Sequence, residues 1–188
     1  MRIAKHIVAS ALLLTTFNAA ADAITDQLAS HGRTEFPAWL NNPTVISAVK
    51  AQNAENAGLS NADIDALDKK WRAETKNGNG PTIDAKLSND LSAYLKKVKA
   101  DAQGLYTEIF VMDNKGLNVG QSDVTSDYWQ GDEAKWQKTF QVGPDAVHVS
   151  EVEQDESTQV FQSQVSLPIV DDGKVIGAVT VGINVDQI

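Results

Sequence analysis

The 188-residue chain contains no cysteine. That excludes disulfides, thiol nucleophiles, thiolate metal sites and a lipid-modified cysteine anchor. Positive charge is scarce as well: 16 Lys and Arg stand against 25 Asp and Glu, a formal net charge of −9. Such a balance disfavours nucleic acid and anionic lipid as partners. Arg33 and Arg72 are the only arginines after residue 2. The longest apolar run, Ile7 to Phe17, is too short to span a bilayer comfortably. Short catalytic signatures are missing too. There is no GxSxG, no HExxH and no Gly-rich phosphate loop; Asn77-Gly78-Asn79-Gly80 lacks both the pattern and a preceding strand. His148, Ser157 and an Asp make a triad only on paper, so an enzyme is not expected.

What is present begins with a leader. Arg2 and Lys5 precede the apolar run, and Ala19-Ala20-Ala21 or Ala21-Asp22-Ala23 offers small residues for cleavage. Residues 1–23 read as a secretory signal peptide, and the alternative is an uncleaved anchor. Export to the periplasm follows, with no stable membrane insertion after cleavage. Cleavage after Ala21 leaves 14 basic residues against 25 acidic ones. The remainder, 24–188, is long enough for one domain with a real core.

The pattern divides this domain in two. Residues 24–102 read as helical. Ile24 to His31 is a short helix before Pro37, and Asn42-Pro43-Thr44 opens another with Val45, Ile46 and Val49 on one face. Ser60 and Asp63 form a near capping box ahead of Ile64, Leu67 and Trp71. Leu87, Leu91, Tyr94, Leu95 and Val98 predict one long helix over 83–102. Residues 106–186 read as a sheet. Strands are expected over 107–112, 117–121, 147–152, 159–167 and 175–185, with a short helix inside 132–139 and a turn at Asp155-Glu156-Ser157. Asp113-Asn114-Lys115-Gly116 and Asp171-Asp172-Gly173 mark tight turns. The last run, rich in Val, Ile, Gly and Ala, reads as a central strand, and Phe110 and Met112 as core beneath the helices.

EIFVMDNKGLNV and VSLPIVDDGKVIGAVTVGINV resemble the two strand pairs of extracytoplasmic Cache (PDC-type) sensor domains. In that family a strand ends in Asp-x-x-Gly, and a later hairpin carries Pro-Ile, an acidic-Gly turn and Ile-Gly. The resemblance implies an α+β fold: N-terminal helices packed on a PAS-like five-stranded antiparallel sheet, as a single Cache domain. It further implies a small metabolite held between the sheet and a helix-loop cover. The chain departs from the family in showing no second membrane helix and no output domain after Val185, so a signal is expected to pass by contact with a separate membrane receptor or histidine kinase. It also lacks an arginine beside the aromatics of Ser126–Gln130, where the amino-acid-binding members carry one.

The cover segment 122–140 holds the first site candidates: Asp123, Asp127, Tyr128, Trp129 and Trp136. Aromatic faces beside carboxylates suit an organic cation; the plain alternative is that the tryptophans cap the core and the acids are solvated. Their spacing does not match a calcium loop, and no metal or cofactor is expected. His148 alternates with Val147 and Val149 and so faces away from both. Gln162 and Gln164 share a strand face, lining either a polar pocket or a wet surface. The expected function is a non-enzymatic periplasmic sensor module for a small amine, amino acid or carboxylate. The alternative is an accessory protein whose Trp129 and Trp136 are exposed interface anchors.

Overall fold

The computed structural model describes residues 9–154 and 159–188, with side chains from Asp22 onward. Arg2 and Lys5 of the leader and the turn 155–157 lie outside the described residues. Among the described residues, seven α-helices precede or interrupt six strands: α1 Ala9–Glu35, α2 Pro37–Leu40, α3 Pro43–Glu55, α4 Asn61–Lys76, α5 Pro81–Leu87, α6 Asp90–Asp101, β1 Tyr106–Met112, β2 Asn118–Gln121, α7 Ala134–Gln137, β3 His148–Val149, β4 Glu153–Gln154, β5 Phe161–Asp171 and β6 Lys174–Asn184. No described helix is long and apolar enough to cross a membrane.

Side-chain caps fix the helix starts. Asn42 accepts from the Thr44 N–H, and Ser60 and Asp63 form the full reciprocal box. The long helix expected over 83–102 is two. Asn89 stops it: its Oδ1 accepts from Ser92 N–H at 2.8 Å and its Nδ2 donates to Val119 O at 2.9 Å. One side chain thus starts α6 and ties it to β2. Helix α5, which opens on a glycine, takes its cap from α4. Glu74 accepts from Thr82 N–H, Thr82 Oγ1 and Ile83 N–H.

The sheet is antiparallel in the order β2-β1-β6-β5-β3, with β4 also on β5. The last strand is central, as its composition predicts. Gly177 lets it pass closely beside β1: a Cβ there would lie 2.3 Å from Met112 O. The strand expected over 147–152 is broken into β3 and β4. Ser150 causes part of the break, since its Oγ accepts from Gln164 N–H and donates to Glu151 O.

The two sheet faces differ in kind. One carries Tyr106, Ile109, Val111, Val165, Leu167, Ile169, Val179, Val181 and Ile183, packed with Leu28, Phe36, Val45, Val49, Leu91 and Leu95 of the helices. On the other, Phe110, Met112 and Ala178 meet Trp136 and Phe140. The expectation of Phe110 and Met112 beneath the N-terminal helices is therefore corrected. A bulge between Tyr106 and Glu108 is the reason. It sends Tyr106 to the helical side and leaves Glu108, Phe110 and Met112 on the opposite one.

Candidate functional site

Strand register fixes what the second face presents. Phe110 on β1 pairs with Thr180 on β6, which pairs with Ser166 on β5, which pairs with His148 on β3. One row along, Glu108 pairs with Gly182, and Gly182 with Gln164. Gln162 and Glu153 pair beyond them. Polar side chains therefore recur across five strands of a face that an open sheet would give to water.

This face is partly roofed. The start of α7 and the segment before it pass over the β3–β5 end of the sheet and enclose a cavity of about 300 Å³. Glu133, Ala134 and Lys135 line it from the roof. His148, Ser150, Glu151, Glu153, Gln162 and Gln164 line it from the sheet. Lys135 is held inward: its Nζ bridges to Glu133 at 2.8 Å and lies 5.5 Å from the centre of the Phe110 ring. Such a cation is a fixed charge in a partly dry place.

Behind Gln164 sits Glu108. Gln164 Nε2 donates to Glu108 Oε1 at 2.8 Å. Burial pushes the Glu108 carboxyl above the usual range, while the Gln164 bond and Lys135 oppose that rise. Burial also lowers His148, helped by Lys138 and Lys135, so the imidazole is neutral near pH 7. The lining thus offers one lysine, a neutral histidine, two amides and three carboxylates. Negative charge outweighs positive, and an ammonium group is the natural complement.

Of the residues singled out from sequence, the structure brings His148, Gln162 and Gln164 together here. Trp136 lies nearby in the Phe110 cluster, with its indole N–H donating to Asp113 O at 3.1 Å. The others lie elsewhere. Asp123 bridges to Lys99 of α6. Asp127 bridges to Arg72 of α4 at 2.6 Å. Tyr128 stacks on Trp71 with ring centres 5.5 Å apart. Trp129 donates its indole N–H to Lys115 O at 2.8 Å. An arginine does reach the aromatic segment, from α4, but Asp68 and Asp127 both occupy it. Glu108 and Lys135 were missed. A charged residue in the strand Tyr106–Met112, directly before the apolar run Ile109–Met112, was the available signal for Glu108.

A second cavity of about 310 Å³ lies between the α1–α2 corner and β5, lined mainly by Pro37, Leu40, Pro144, Leu167 and Ile169. Its Arg33 already donates to Asp145 O. Among the described residues, no group of three or more His, Asp or Glu is placed to hold a metal.

No protein-family model matches the chain. A comparison with curated proteins finds no match. Among solved structures, the sensor domain of the V. cholerae histidine kinase DctB is similar at 12% identity and a TM-score of 0.42, covering 92% of this chain and 59% of that domain. The isoleucine-bound sensory domain of the Campylobacter jejuni chemoreceptor Tlp3 is 15% identical with a TM-score of 0.40, covering 97% and 66%. The ligand-binding domain of the Pseudomonas aeruginosa amino-acid chemoreceptor PctC, in complex with GABA, is 11% identical with a TM-score of 0.43, covering 92% and 62%. The chain spans less than two thirds of each of these domains. All three neighbours are sensor or ligand-binding domains of kinases and chemoreceptors.

Proposed function

We propose that this chain is an exported, non-enzymatic ligand-binding sensor module. It binds a small amine or amino acid between α7 and the β3–β5 end of the sheet, and presents the bound state to a membrane receptor or kinase. One observation carries the reading: a roofed cavity on the sheet face whose lining combines three carboxylates, one inward lysine and two amides. The segment between β2 and β3, which the sequence resemblance implies as a cover, supplies Glu133, Ala134 and Lys135 to that lining. Differential contacts of the partner with the empty and filled forms would carry the signal.

The accessory-protein alternative needs Trp129 and Trp136 as exposed anchors. Trp136 is 8% exposed, and both indole N–H groups already bond to backbone carbonyls. That observation favours the cavity reading.

The test is a thermal-shift screen of amines, amino acids and dicarboxylates, followed by calorimetry. Amines or amino acids are expected to raise the melting temperature of the wild-type chain but not that of Gln162→Ala or His148→Ala. No shift with any compound would sink the reading. An undiminished shift in both variants would move the site.

A further inference from the structure

We propose that Glu108 is a positioning residue that fixes which end of the Gln164 amide faces the cavity, so that the site selects ligands that donate hydrogen bonds. The inference rests on the reading of this cavity as a ligand site. Its basis is the bond between two side chains on non-adjacent strands. Glu108 is on β1 and Gln164 on β5, with β6 between them. They meet because the β6 residue paired with both is Gly182. A Cβ at 182 would lie 2.9 Å from Glu108 Cγ and 2.3 Å from Thr107 Oγ1.

The chemistry then follows from donor counts. An ionised carboxylate only accepts, whereas a primary amide has an NH₂ end and a C=O end. Toward ionised Glu108 the amide must therefore turn its NH₂, as observed. That leaves Gln164 Oε1 as the free end, and no described protein group donates to it. The cavity is offered an acceptor. Protonated Glu108 could donate instead; the amide would turn over and offer its NH₂. The donor preference is thus present above the Glu108 pKa and lost as pH falls through it. Groups acting on Glu108 from the surrounding elements are Lys135 on α7, Asp123 after β2 and Lys99 on α6. His148, Glu133, Glu151 and Glu153 are the ionisable groups that line the cavity itself.

Putrescine and succinate are matched probes, because they share a four-carbon backbone and differ in carrying only donors or only acceptors. Their dissociation constants would be measured by calorimetry for wild type, Glu108→Gln and the exchange Glu108→Gln with Gln164→Glu. Wild type should prefer putrescine by about tenfold or more near neutral pH, the scale of one hydrogen bond to a charged group. Glu108→Gln should lower that ratio by about tenfold, leaving the preference set by the three lining carboxylates. The exchange should restore it, because the amide then on β1 can donate to the carboxylate then on β5, which keeps an acceptor oxygen toward the cavity. In probe-free protein, the Gln164 side-chain NH₂ resonances should titrate with a midpoint above the ordinary glutamate range, and Glu108→Gln should abolish that titration. An unchanged probe ratio in Glu108→Gln, or a Gln164 amide that does not titrate, would overturn the proposal alone. Failure of every amine, amino acid and dicarboxylate of the screen to bind wild type, these two probes included, would overturn the cavity reading and the proposal together.

Discussion

The stretch between β1 and β3 has two ends that treat charge in opposite ways. At the Asp113–Gly131 end every prominent charge is already answered within the fold. Asp113 is fully buried and accepts from Gln52 Nε2, Asn56 Nδ2, Lys115 N–H and Leu117 N–H. Asp68 accepts from the N–H groups of Tyr128 and Trp129 and holds Arg72, which reaches on to Asp127. At the Glu133–Lys135 end the groups face a cavity. Here Lys135 pairs with Glu133 and Gln164 with Glu108, while His148, Glu153 and Gln162 line open space. The same residue types serve as bolts at one end and as a lining at the other. Composition does not distinguish them; the supply of nearby partners does.

The comparison breaks most visibly at Asp113. Asp113→Ala would strand four donors, two of them backbone N–H groups, in a buried place. We expect a loss of about 3 kcal/mol or more by urea unfolding. A loss below about 1 kcal/mol would mean that this end is not the clamp described. Gly177→Val comes next. It pushes side-chain atoms against the Met112 carbonyl and Val49, and should cost about 1–3 kcal/mol. An unshifted melting temperature there would show that β6 can move away from β1.

Much of this architecture was legible before any coordinates. Caps at Asn42 and Ser60, the turn at Asp113–Gly116 and the central last strand all follow from local chemistry, because the groups involved are a few residues apart. The break at Asn89 was equally local but hidden by an apolar stripe that continues on both sides of it. The site was harder. Asp127, Tyr128 and Trp129 looked like a binding cluster because their partners lie far away in sequence: Arg72 and Trp71 for the first two, Lys115 for the third. The period-two rule placed Gln162 and Gln164 on one face and turned His148 away from Val147 and Val149; that His148 joins the two glutamines follows only from the β3–β5 register. The rule could not foresee that Glu108 would join Gln164 across Gly182, since that depends on a bulge and on strand order.

The cavity end should respond to mutation in the opposite manner. His148→Ala and Gln162→Ala remove side chains that hold no other described residue in place, so each should change stability by no more than about 0.5 kcal/mol. Binding of whichever amine or amino acid the screen identifies should fall at the same time. Equal losses of stability and binding would erase the distinction between the two ends.

The smallest effect is the sharpest, because its sign differs between a bolt and a lining. Asp63, in its capping box, is held below the usual carboxyl range by its bonds with Ser60. It adds stability above the unfolded-state pKa, and that contribution is lost as pH falls through the folded value. Glu108 is displaced upward, with burial the leading cause. As pH rises through the ordinary glutamate range, the unfolded chain ionises first and the folded one resists. Glu108 therefore costs stability above its folded pKa and nothing well below the unfolded one. Glu108→Gln should melt higher than wild type near pH 7 and together with it at about pH 3, while Asp63→Asn should melt lower near pH 7 and converge in acid. A Glu108→Gln variant no more stable than wild type at neutral pH would mean that water or the Gln164 amide fully compensates the charge. The cavity would then differ from the clamped end in shape but not in electrostatic cost.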